Sequence, residues 1–119
     1  MIEVSLLVLR AENLEKTREF YEQIGLNFVE EQHGSGPVHY ACELNGMVIE
    51  IYSGKPGSAP ERTQAGAVML GLRVEAVENL VQHLEQAGYT IITPPKTSPW
   101  GKRAVVSDPD GRAIELSSQ

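Results

Sequence analysis

With one cysteine, Cys42, the chain can close no internal disulfide, a usage that agrees with a reducing compartment. It lacks any apolar run approaching the length of a membrane span. Nor does a charged segment followed by an apolar one open it, so a cytoplasmic protein with no membrane partner is expected. Positive charge is in deficit. Ten Lys and Arg stand against 16 Asp and Glu, a net charge of −6, which argues against a nucleic-acid partner. This mild acidity does not repel a cationic small molecule, and it serves solubility equally well. Also absent are a phosphate-binding glycine loop, an HExxH or GxSxG motif and any paired-cysteine metal motif; Gly34-Ser35-Gly36 is a loop signal only. What remains is an ordinary globular composition, 41% hydrophobic and 22% charged. Its 119 residues suffice for one domain, or for two small halves sharing a core.

The informative feature is a repeat. "NGMVIEI" at 45–51 returns as "DGRAIEL" at 110–116, with Glu50 and Glu115 in the same slot. Earlier in each half, "LLVLRAENL" (6–14) matches "MLGLRVEAV" (69–77), and "YEQIG" (21–25) matches "LEQAG" (84–88). Two copies in the same order mark duplication of a unit; a solenoid needs three or more.

The periodicities within each unit are legible. Residues 2–10, rich in Val, Ile and Leu, read as a strand buried on both faces. Asn13 is placed to cap a helix over 14–24, with Glu15 in its first turn and Gly25 as its stop. Leu14, Thr17, Tyr21 and Ile24 form its stripe; Val77, Leu80, Val81, Leu84 and Ala87 form the second, stopped by Gly88. Three shorter strands follow each helix, near 27–33, 37–44 and 47–52, then 89–93, 102–107 and 112–117. Asn45-Gly46 and Asp110-Gly111 precede the last strand of each unit as hairpin signals. The spacing therefore predicts an α+β chain of two tandem βαβββ modules, about 1–52 and 67–119. A Gly-, Pro- and Ser-rich linker over 53–66 joins them, and 93–101 is a second long loop.

This pattern resembles the vicinal-oxygen-chelate superfamily of glyoxalase I, extradiol dioxygenases, fosfomycin-resistance enzymes and bleomycin-resistance proteins. "NLEKTREFYEQIGLNF" (13–28), "IEIY" (49–52) and "PWGKRAVVSDPDGRAIEL" (99–116) carry the resemblance, which covers nearly the whole chain. It implies sheets that curl into a trough, with helices on the outer face. It also implies a metal at the trough floor, held by His or Gln from the first strands and Glu from the last. A homodimer is implied as well. Glu50 and Glu115 fill the last-strand positions. Leu6 and Met69 stand at the first-strand ones, where neither offers a hard or borderline ion a suitable donor.

Three accounts of the glutamates stay open. With waters they can hold Mg²⁺ or Mn²⁺. Arg10 and Arg73, four residues beyond Leu6 and Met69 on the same strand faces, can neutralise them or clamp an anionic ligand. Or they are held by local hydrogen bonds alone, the reading preferred here. His39 is the remaining donor of interest, a general base or substitute ligand if it faces the trough and a hydrogen-bonded strand histidine otherwise. His33 and His83 read as surface residues, and Cys42 as a small buried hydrophobe. Trp100 either lies over the trough mouth, to stack on a flat ligand, or plugs the sheet as core. Tyr52, beside Glu50, is a candidate pocket wall. Asp108 and Asp110 read as turn residues.

Two functional readings follow. The favoured one is a pocket of Leu6, Arg10, His39, Glu50, Tyr52, Met69, Arg73, Trp100 and Glu115 that takes up a small organic molecule without a metal. The alternative is a metal-dependent lyase, isomerase or dioxygenase in which Glu50 and Glu115 ligate a divalent ion.

Overall fold

Asn13 opens the first helix as the sequence predicts. Its side-chain Oδ1 accepts the Lys16 backbone N–H at 3.0 Å, and α1 runs Leu14–Ile24. It stops at Gly25, whose φ of 121° strains any residue bearing a Cβ. The second helix, α2 (Val77–Gln86), begins at Ala76 without a side-chain cap and ends just before Gly88. Its buried residues are Val77, Val81 and Leu84, whereas the predicted Ala87 is exposed beyond the last turn. In α1 the buried set is Thr17, Phe20 and Tyr21. Phe20 thus joins the stripe, and Leu14 and Ile24 at the helix ends are only half-buried.

The structure, a computed structural model, describes residues 4–54, 69–99 and 101–118. Most of the linker expected over 53–66 therefore lies outside the described residues, as do Trp100 and the start of the first predicted strand. Two compact units, Met1–Gly57 and Ser58–Gln119, each repeat βαβββ. In the first, β1 (Leu6–Ala11), α1, β2 (Val29–Glu31), β3 (His39–Leu44) and β4 (Met47–Ser53) build a sheet of order β1-β4-β3-β2. In the second, β5 (Leu70–Arg73), α2, β6 (Ile91–Ser98), β7 (Gly101–Ser107) and β8 (Ala113–Ser118) give β5-β8-β7-β6. The first strand of each module lies parallel to its last strand, and the other pairs are antiparallel. Among the described residues no helix is long and apolar enough to cross a membrane.

Strand period two divides each sheet into a helix face and an open face. Leu9, Ala11, Cys42, Ile49 and Ile51 are buried with Phe20 and Tyr21 in the first module. Ala104, Val106, Ile114 and Leu116 are buried in the second, where α2 packs on β6, β7 and β8. Each such Ile or Leu contributes about 1.5–3 kcal/mol by leaving water. The first strand is accordingly not buried on both faces as expected. Leu6 is 51% and Val8 38% exposed, because alternate residues of β1 belong to the open face.

Two further expectations change. Residues 93–98, expected within a loop over 93–101, instead continue β6 to Ser98; Pro94 and Pro95 fall where its register with β7 shifts. An edge strand tolerates proline there because its outer N–H groups need no partner. Asn45 and Gly46, with φ of 50° and 86°, make the two-residue turn their sequence predicts. Asp110-Gly111 instead lies in a longer loop organised by the buried Asp108. That carboxylate accepts the backbone N–H groups of Asp110 and Arg112, both at 2.9 Å, and Arg112 Nη1 at 2.7 Å.

On the helix face, Tyr40 Oη donates to Glu15 Oε1 at 2.6 Å and ties β3 to α1. That bond, aided by the Arg18 guanidinium, holds Glu15 below its usual carboxylate range; the same bond pushes the Tyr40 phenol up.

Candidate functional site

The register of the first module sets a grid on its open face. Arg10 of β1 lies opposite Tyr52 of β4, and His39 of β3 opposite Glu31 of β2. The Tyr52 and His39 rings stack at 4.3 Å and 9°, joining the two pairs into one row across all four strands. The Arg10 guanidinium carbon stands 5.1 Å from the centre of the Tyr52 ring. The neighbouring row is Val8, Glu50, Ala41 and Val29, and Leu6 opposite Val48 lies beyond it.

His39 is the centre of this face, only 1% exposed. Its Nδ1 lies 3.3 Å from the Pro37 carbonyl oxygen. A carbonyl can only accept, so Nδ1 is the donor in this contact. Nε2 then faces two carboxylate oxygens, Glu31 Oε1 and Glu50 Oε2, each at 3.3 Å. Neither contact has hydrogen-bond geometry, and Nε2 is a buried polar atom with no hydrogen-bond partner among the described residues. The turn that follows β2 brings His33 to the same place. It is closed by Gly36 N–H to the His33 carbonyl at 2.9 Å and by Gln32 Nε2 to the Gly36 carbonyl at 3.0 Å. The exposed His33 ring is centred 5.3 Å from that of His39, with Nε2 3.9 Å from Glu31 Oε1.

The second module treats its glutamate differently. Glu115 lies in register with Gly71 of β5 and Val105 of β7, and Arg103 Nη2 contacts its Oε1 at 2.6 Å. Arg103 occupies the place that His39 holds in the first module, two residues along the third strand from the partner of the glutamate. Lys96 lies opposite Arg103 where Glu31 lies opposite His39. Arg73, offered by the sequence as one of three accounts of the glutamates, is exposed and in register with Ser117. The cation on Glu115 comes from β7, so Glu115 is not held by local hydrogen bonds alone, the account preferred from the sequence. Met69, also exposed, immediately precedes β5.

Of the sequence candidates, Leu6, Arg10, His39, Glu50 and Tyr52 thus share one face of the first module. Met69, Arg73 and Glu115 belong to the second, and Trp100 lies outside the described residues. The first-strand residues in register with the glutamates are Val8 and Gly71, which supply no donor in place of Leu6 and Met69. Sequence reasoning did not single out Glu31 or Arg103, and it read His33 as a surface residue, as its exposure bears out. The signal lay in "EEQHGSGPVH", a Glu and two His flanking a turn, but which glutamate meets His39 depends on the register.

Comparison with known proteins places this geometry. The profile of the Glyoxalase/Bleomycin resistance protein/Dioxygenase superfamily matches residues 4–116. An uncharacterised protein of Mycolicibacterium smegmatis is 30% identical over 116 residues, 98% of this chain and 93% of the relative. Among solved structures, TnmS3, an antibiotic-binding protein from Streptomyces sp. CB03234, superposes with a TM-score of 0.71 at 26% identity, over 99% of this chain and 96% of the other. The fold is shared with the fosfomycin resistance protein FosX of Listeria monocytogenes at a TM-score of 0.76 and 20% identity, over 100% and 94% of the two chains. The chain belongs to the glyoxalase/bleomycin resistance protein/dioxygenase superfamily.

Proposed function

We propose that the protein binds a small organic molecule on the open face of its first module, with no metal shared between Glu50 and Glu115. The observation carrying this reading is apolar surface beside an aromatic stack and a carboxylate. Leu6, Val8 and Val29 are 51%, 38% and 66% exposed on the face that holds Tyr52, His39 and Glu50. Exposed aliphatic side chains around a few convergent polar groups suit an organic ligand with one polar or cationic group. The antibiotic-binding description of the Streptomyces relative supports the same ligand class.

The residues do not fit the metal site that the superfamily implies. Glu115 is already compensated by Arg103, and the positions in register with the two glutamates are Val8 and Gly71. No catalytic step is therefore routed through such an ion. Pairing of two chains into a homodimer belongs to the same reading and is checked by analytical ultracentrifugation.

The test is a thermal-shift and native mass spectrometry screen of the full chain against antibiotics and small aromatic cations. A ligand at a hundredfold excess over Kd adds about 2.7 kcal/mol to stability, a shift that Leu6→Asp and Tyr52→Ala should abolish. If the folded protein meets no binder across the panel, or both variants bind as well as the parent, the reading fails.

A further inference from the structure

We propose that the first module holds a divalent transition-metal ion of the zinc type through His39 Nε2, Glu31 Oε1, Glu50 Oε2 and His33 Nε2. This goes beyond the binding reading, which requires no metal. The site also differs from the superfamily's, because all four donors come from one module and three of them from β2, β3 and the turn between them.

The first argument is electrostatic. Nδ1 of His39 is engaged by the Pro37 carbonyl, which leaves Nε2 as the ring atom facing two carboxylate oxygens, each at 3.3 Å. A cation among these three atoms would offset the cost of holding two carboxylate oxygens against a buried imidazole nitrogen. His39 is 1% exposed, and its Nε2 is a buried polar atom with no hydrogen-bond partner among the described residues.

The second argument is metric. Two donors about 2.0–2.1 Å from one zinc ion at the tetrahedral angle stand about 3.3 Å apart. Both the His39–Glu31 and His39–Glu50 separations are 3.3 Å. One donor atom each from Glu31, His33 and His39 falls within 4.8 Å of the others, and His33 is exposed and thus able to swing inward. Finally, the Nδ1 contact to a backbone carbonyl is the support that orients a ligating imidazole and raises its basicity. Two imidazoles and two carboxylates form a borderline donor set that suits Zn²⁺ or Co²⁺ better than Mg²⁺.

The experiment is a titration of the full chain, untagged and stripped with chelator, with Zn²⁺ and Co²⁺, followed by elemental analysis after dialysis. One equivalent per chain is expected, and Co²⁺ should give the intense visible bands of a tetrahedral site. Glu31→Gln and His33→Ala, both outside the core, should weaken binding by at least roughly 10–100-fold, the loss incurred when only a ligand's support is removed. His39→Ala should abolish stoichiometric binding, with circular dichroism verifying its fold. Glu115→Gln should leave the equivalent in place. The proposal is overturned if the parent chain retains no equivalent. It is also overturned if Glu31→Gln and His33→Ala bind unchanged, or if Glu115→Gln loses the ion.

Discussion

The two modules carry the same glutamate at the same point of the same sheet and surround it with opposite chemistry. Glu50 faces a buried histidine that is itself shared with Glu31; Glu115 is met by Arg103 at 2.6 Å, with Lys96 as the next residue in the row. Duplication preserved what builds the sheet, while the open faces diverged. The reason is energetic. The helix face must bury Ile49, Ile51, Ile114 and Leu116 for either module to be stable, whereas a side chain on the open face can change with little cost to the fold. One copy thereby holds a part-exposed arginine–glutamate pair, and the other a buried histidine flanked by two part-exposed glutamates.

The strongest challenge to this comparison is to damage the shared part. Ile51→Ala and Leu116→Ala, both at fully buried positions, should each cost about 2–5 kcal/mol in urea unfolding. Similar losses would bear out the equivalence of the two helix faces, and a loss confined to one module would break it. A smaller effect is expected on the open face. Arg103 and Glu115 are 50% and 30% exposed at the side chain, so Arg103→Ala should cost only about 0–1 kcal/mol and less at high salt. A larger, salt-insensitive loss would mean that Glu115 is not a surface pair.

The smallest effect is on the pH profile and belongs to the first module. Glu15 has a lowered folded pKa, so its contribution is present above the unfolded carboxylate value and lost as pH falls through the folded one. Tyr40 has a raised folded pKa, so its contribution is present below the unfolded phenol value and lost as pH rises through the folded one. Stability curves of the parent chain and Tyr40→Phe should therefore differ at neutral pH and converge at both the acid and alkaline extremes. A constant offset across the range would show that the 2.6 Å bond is not the cause.

Much of the architecture was legible because it rests on local rules. The bounds of α1 follow from Asn13 and Gly25, and the tight turn between β3 and β4 from Asn45-Gly46. Phe20 escaped because its neighbour Tyr21 already satisfied the helical stripe. The continuation of β6 past Pro94 and Pro95 escaped because proline forbids a central strand but not an edge strand, and which strand is at the edge is a property of the whole sheet.

On its own, the sequence determined that the chain is a duplicated βαβββ protein with a glutamate on the last strand of each copy. Periodicity, caps and turns are encoded within a few residues of where they act. What each glutamate meets was decided only by the tertiary structure. Glu31, His39 and Glu50 lie on three different strands, and Arg103 and Glu115 on two. A shift of one residue in any pairing would have turned these side chains to the opposite face.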